Sequence, residues 1–139
     1  MADDLELEVA TPERELVKAR VSEVEVRGKD GYMGILPGHA PLLGELGIGL
    51  LTYVVGQRRR TLAVHSGFLE VLDDHVRVLA DAAERAEDID VERARTALRR
   101  AREEVLNPPA GSDNHAALAA MDRAQTRIDV AEHKQTAVV

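Results

Sequence analysis

The sequence predicts an α+β chain: an N-terminal antiparallel β-sandwich over residues 1–85, then a C-terminal antiparallel α-helical hairpin over residues 86–139. Three observations carry that prediction. Up to Ala80, short apolar–polar alternations recur between turn-forming residues, the pattern of half-buried strands. From Ala82 onward the alternation stops, and alanine and arginine dominate. In that second part, apolar residues recur every three or four positions on two segments. Between them lies Asn107-Pro108-Pro109-Ala110-Gly111-Ser112-Asp113, which cannot continue a helix.

The strands follow in order. Leu5, Leu7 and Val9 alternate with Glu6 and Glu8, giving one wet and one dry face. Thr11-Pro12-Glu13-Arg14 is a turn, and Leu16-Val17 and Val21–Val26 are further strands. The parity changes at Ser22 and Glu23, which predicts a bulge or corner. Gly28–Gly31 turns the chain into Tyr32–Leu36. Gly44–Gly49 is glycine-punctuated and predicts short, irregular strand. Leu50–Val55 and Arg58–His65 form a hairpin about Gly56-Gln57, and Phe68–Leu72 and His75–Ala80 form another about Asp73-Asp74.

One stretch interrupts these strands, Gly34-Ile35-Leu36-Pro37-Gly38-His39-Ala40-Pro41-Leu42-Leu43. Its two prolines cannot donate to a sheet ladder, and Gly38 supplies a positive φ at little cost. A rigid projecting loop is expected, with Leu42 and Leu43 carried outward or onto a sheet edge.

Asp90 is the N-cap expected for the first helix, with Glu92 in its first turn. Val91, Ala94, Leu98, Ala101 and Val105 form its apolar stripe. On the second helix the stripe is Ala117, Met121, Ala124, Ile128 and Ala131. Alanine allows close approach but buries little area, so the hairpin should be only modestly stable and open to displacement by a partner or closure by a ligand.

Composition narrows the function classes. A chain of 139 residues can bury a real core, but aromatics are 2%, so that core must be aliphatic. The net charge of −7 argues against nucleic acid. No cysteine is present, which excludes thiolate sites, and His39, His65, His75, His115 and His133 lack zinc-type spacing. The acidic start is unlike a signal peptide, and no apolar run approaches the ~20 residues of a membrane span. The expectation is a cytoplasmic, soluble chain.

No catalytic constellation is visible: no phosphate-binding glycine loop, no nucleophile elbow. An enzyme acting on a phosphorylated substrate has no general base or metal site to support it. The distinctive polar set is basic. Arg93 and Arg100 lie seven apart on one helix, and Arg123 and Arg127 lie four apart on the other. Arg95 is expected to point away from them. Guanidinium forks suit phosphate oxygens, yet by spacing alone these are solvated faces partly paired with acidic neighbours.

The proline-stiffened loop, Ser66-Gly67-Phe68-Leu69-Glu70-Val71 and Val78-Leu79-Ala80-Asp81 together resemble the ε subunit family of bacterial F-type ATP synthases. The resemblance covers nearly the whole chain. It implies a non-catalytic central-stalk subunit that couples the shaft to the rotor ring and restrains ATP hydrolysis through a mobile hairpin. Expected partners are the γ subunit, the c-ring and, when the hairpin extends, the catalytic α/β head. The expected place is the cytoplasmic face of the inner membrane, held there only through the complex. Gly31, Tyr32, Met33, His39, Ala40, Pro41, Leu42 and Leu43 would form the partner interface.

Ile89-Asp90-Val91-Glu92-Arg93-Ala94 is similar to the motif with which such subunits bind ATP. By that resemblance Ile89 belongs to the nucleotide-binding set, Glu84, Asp90 and Ala94 lie on the base side, and Arg93, Arg100, Arg123 and Arg127 hold the phosphates. ATP is then a regulatory ligand, with no cofactor required. The alternative from a different class is a free-standing ATP-sensing module with no rotary partner.

Overall fold

The computed structural model describes residues 4–133 and 136–137. Seven strands lead: β1 (Leu5–Ala10), β2 (Glu15–Val21), β3 (Glu23–Gly28), β4 (Gly31–Ile35), β5 (Leu42–Val55), β6 (Arg58–Leu72) and β7 (His75–Arg85). A 3-10 turn, Ala86–Asp88, leads to α1 (Val91–Leu106) and α2 (His115–His133). A two-residue strand, β8 (Thr136–Ala137), pairs with the start of β6.

Hydrogen bonding runs in the order β2-β1-β7-β6-β5-β3-β4. The path folds over on itself, because β2 touches β5 although three strands lie between them. Between the layers sit Leu5, Leu7, Val24, Val26, Ile35, Leu51, Leu69 and Val76, all fully buried. The expected sandwich is therefore present, followed by the expected helices. Its pairings are antiparallel except for β1 with β7, which is parallel, with Leu7 opposite Val76. The corner expected near Ser22 separates β2 from β3, and the Ser22 N–H donates to the Val54 carbonyl at 2.9 Å.

Two strands differ from expectation. Gly44–Gly49 does not break the chain; it lies within the 14-residue β5. Gly49 lets Arg27 and Tyr32 lie flat on this strand: a Cβ there would meet Arg27 Cβ at 2.7 Å and the Tyr32 hydroxyl at 2.8 Å. That hydroxyl accepts from the Leu50 N–H. Likewise Arg58–His65 and Phe68–Leu72 are one 15-residue strand, β6. Ser66 (φ 63°) and Gly67 (φ 131°) bend it without ending it. At Gly67 a Cβ would collide with the Leu79 carbonyl and with Ala80 Cα, so the bend requires glycine.

The two proline residues do produce a turn, but a shorter one, because Gly34 and Ile35 belong to β4 and Leu42 and Leu43 to β5. Gly38, at φ 87°, donates its N–H to Asp74 Oδ1 at 2.7 Å, tying this turn to the β6–β7 hairpin. Leu42 is a correction to the expected interface. It pairs with Val71 and packs against the core, whereas Leu43, one residue on and therefore on the other face, is 77% exposed.

Thr52, Val54, Thr61, Ala63 and His65 are buried yet lie outside the aliphatic core. They alternate with core residues, so they occupy the opposite face of β5 and β6, where α2 packs. That platform is small and half polar. On α2, Ala117, Ala124 and Ile128 are buried as the stripe predicts, but Thr126 and Val130 are buried as well. The helix thus has a second contact face, toward the sheet. Ala94, Leu98, Ala124 and Ile128, with Met121, form a separate small cluster that joins the helices.

Because the sandwich core draws on no helical residue, deleting the chain from Glu87 onward should leave a folded β domain. It should unfold cooperatively in urea, with stability lowered by about 1–3 kcal/mol for uncovering Val54 and its small neighbours. Loss of the cooperative transition would show instead that the hairpin is part of the folding unit.

Candidate functional site

Where the end of β7 meets the start of α1 and the second half of α2, a cavity of about 320 Å³ opens. It is lined by Glu84, Asp88, Asp90, Arg93, Ala94, Ala97 and Arg127. The local sequence explains the construction. β7 delivers Glu84; the 3-10 turn swings the chain off the sheet; Asp90 starts α1, its carboxylate accepting from the Arg93 N–H at 3.1 Å. Alanine at 94 and 97 keeps the helix wall low.

The acidic residues here are already engaged. Asp88 pairs with Arg14 at 3.3 Å and with Arg85 at 3.9 Å. Glu84 Oε1 accepts from Arg127 Nε at 2.6 Å and from His65 Nε2 at 3.0 Å. The hydrogen bond from His65 holds the Glu84 carboxyl below its ordinary value of 4.5, with Arg127 adding to the effect and partial burial opposing it. Arg93, by contrast, has no ion-pair partner among the described residues. The cavity therefore offers one uncommitted guanidinium, a second that could exchange a carboxylate for another anion, and a helix N-terminus.

Of the eight residues expected for nucleotide binding, five stand together here: Glu84, Asp90, Arg93, Ala94 and Arg127. Ile89 is half-buried in the turn beside them and does not line the cavity. Arg100 and Arg123 do not line it either, so the four arginines do not converge in this closed arrangement. Seven residues of helix carry Arg100 about 10 Å beyond Arg93. Arg95 stays out of the cavity as well, bonding Glu92 at 2.6 Å and reaching Glu132 of α2 at 3.7 Å. Asp88 and Ala97 were missed. Ala97 follows Ala94 by three positions, which was a usable signal, but Asp88 is placed by tertiary folding.

The residues expected at the partner interface lie apart from this cavity, and Tyr32 among them shares a shallow pocket with Thr52 and with His133 at the end of α2. Tyr32 is exposed on β4 between half-buried Gly31 and Met33. In the turn, half-buried His39 turns Nδ1 toward the Ala40 carbonyl at 2.7 Å, and Ala40 and Pro41 are exposed. Sequence reasoning missed the companions of Leu43. Phe68, 57% exposed, lies directly opposite Leu79, 54% exposed, and diagonal to Leu43. These three form an outward apolar strip among Glu45, Glu70 and Arg77.

The Glu84 cluster predicts a specific acid response. A carboxyl with a depressed native value leaves the unfolded chain binding more protons, so its contribution is present above about pH 4.5 and lost as pH falls through the depressed value. Urea unfolding between about pH 7 and pH 3 should show wild type more stable than Glu84→Gln at neutral pH, with the gap closing on acidification. A gap independent of pH would mean that the ionised carboxylate contributes nothing.

Comparison with known proteins agrees with this architecture. Residues 4–86 match the family model described as ATP synthase, Delta/Epsilon chain, beta-sandwich domain, and residues 87–132 match the long alpha-helix domain of the same family. An ATP synthase epsilon chain from Solibacter usitatus is 63% identical over 134 residues, covering 96% of this chain and 100% of that one. One from Syntrophobacter fumaroxidans is 41% identical, covering 95% and 98%. In solved structures the fold recurs in a chain of the Euglena gracilis mitochondrial ATP synthase, with a TM-score of 0.79 at 24% identity, over 96% of this chain and 83% of that one. With both parts matched in order and relatives aligned end to end, the chain belongs to the ATP synthase delta/epsilon family, as an epsilon chain.

Proposed function

We propose that this chain works as a non-catalytic subunit of the central stalk, docking on the γ subunit and the c-ring through its sandwich and restraining ATP hydrolysis through its hairpin. The observation that carries the docking half is the outward strip of Leu43, Phe68 and Leu79. Here three large apolar side chains, each more than half exposed, face water together on adjacent strands, a cost that a partner surface removes. Membrane association follows through that complex: among the described residues, no helix is long and apolar enough to cross a bilayer.

The regulatory half rests on the weak seat of the hairpin. A cluster of only five residues, two of them alanine, joins α1 to α2, and the platform on the sheet is Thr52, Thr61, Ala63 and His65 with one valine, Val54. Such an interface can be left for another one of similar area, as release toward the α/β head requires. ATP in the cavity would favour the closed form, bridging Arg93 of α1 and Arg127 of α2 with its phosphates. The free-standing sensor accounts for the cavity but leaves the apolar strip without a role.

Two experiments test these halves. Leu43→Asp should leave the isolated fold intact and weaken binding to the stalk tenfold or more, given about 1.5–3 kcal/mol for covering one leucine. Unchanged assembly would remove the strip from the interface. For the ligand, calorimetry with ATP should give saturable binding, weakened about tenfold by Arg93→Ala and unaffected by Arg102→Ala, which does not line the cavity. In the assembled enzyme, the chain shortened before Glu87 should speed ATP hydrolysis. Absence of binding heat removes the sensor, and unchanged hydrolysis removes the brake.

A further inference from the structure

His65 is enclosed, at 4% exposure, on the sheet face that the hairpin covers and outside the aliphatic core. Its Nδ1 is buried without a hydrogen-bond partner among the described residues. A buried imidazole with one nitrogen unpaired is costly, so packing alone would favour an aliphatic side chain here. What the imidazole supplies is a single donor. Glu84, held ionised, can only accept, so the proton between them sits on His65 Nε2. The same carboxylate oxygen then takes the Arg127 Nε–H, and Arg127 lines the cavity.

We propose that His65 is a positioning residue: it fixes the Glu84 carboxylate and, through it, the place of the Arg127 guanidinium at the cavity wall. Glu84 is 28% exposed and Arg127 32%, so neither is held by enclosure. Without the buried donor, the carboxylate is free to rotate toward water and the arginine loses its anchor. His65 thus links β6 of the sandwich to the ligand-facing side of α2 across two hydrogen bonds. Its effect on ATP rests on the nucleotide reading above; the positioning itself is a property of the ligand-free protein.

The test uses the full chain. His65→Leu keeps comparable bulk without the donor, and His65→Gln restores an N–H at about the reach of Nε2. A thermodynamic cycle of His65→Leu with Arg127→Ala, which do not bond each other, should be non-additive by about threefold or more in the folding equilibrium. Imidazole nitrogen NMR should report the Nε2–H form in wild type and lose that signature in Glu84→Ala. ATP affinity without magnesium should fall about tenfold in His65→Leu and recover in His65→Gln. Additive energies, an Nδ1–H tautomer, or His65→Gln behaving like His65→Leu would each overturn the proposal. If wild type binds no ATP, the nucleotide reading falls, while the cycle and the tautomer still decide the role of His65.

Discussion

One carboxylate joins the two halves of this molecule. Glu84, at the end of β7, accepts from His65 on β6 and from Arg127 on α2. Each of the three would be poorly placed alone: an imidazole shut away from water, a part-buried carboxylate near the end of a strand, an arginine facing a cavity. Together they satisfy His65 Nε2, Arg127 Nε and one Glu84 oxygen, and the platform beside them on the sheet is mostly small or polar side chains. This joint sits beside the cavity, at the place where the end of β7 meets α2 and the start of α1.

The division of labour follows from where apolar volume was placed. Leucine and valine are concentrated between the sandwich layers, while the hairpin and its platform bury fewer large aliphatics and more alanine and threonine. The sandwich is consequently the rigid part, able to present an outward apolar strip without rearranging. The hairpin is the adjustable part. Among the described residues, the ion pair between its two helices is Arg95 with Glu132, which is exposed and individually weak.

Much of this was legible in the sequence, and the misses have identifiable causes. The alternation of Leu5, Leu7 and Val9 with glutamates, and the helical stripe of Ala94, Leu98 and Ala101, fixed element type because a single buried face imposes its period. Gly49 and Gly67 suggested breaks because glycine punctuates strands, yet each marks a close approach inside a continuous one. Leu42 and Leu43 looked alike until pairing with Val71 and Glu70 assigned them to opposite faces. Thr126 and Val130 hid the second face of α2, since a threonine does not announce burial. Local pattern made the site legible only near the Asp90 helix start, and Glu84 and Arg127 were reached through the family resemblance; the bonds of Glu84 span 19 and 43 positions, and no local pattern encodes them.

The parallel pairing of β1 with β7 has a temporal meaning. A hairpin can form as soon as its second arm leaves the ribosome, but Val9 meets its partner Val78 only after the intervening chain exists. Until then, β1 and β2 wait as a two-stranded ribbon with one side of β1 unsatisfied, a species prone to pairing elsewhere. β7 is the last long strand to emerge and also the one that carries Glu84. The strand that closes the sandwich is therefore also the one that brings Glu84 to meet Arg127 of α2.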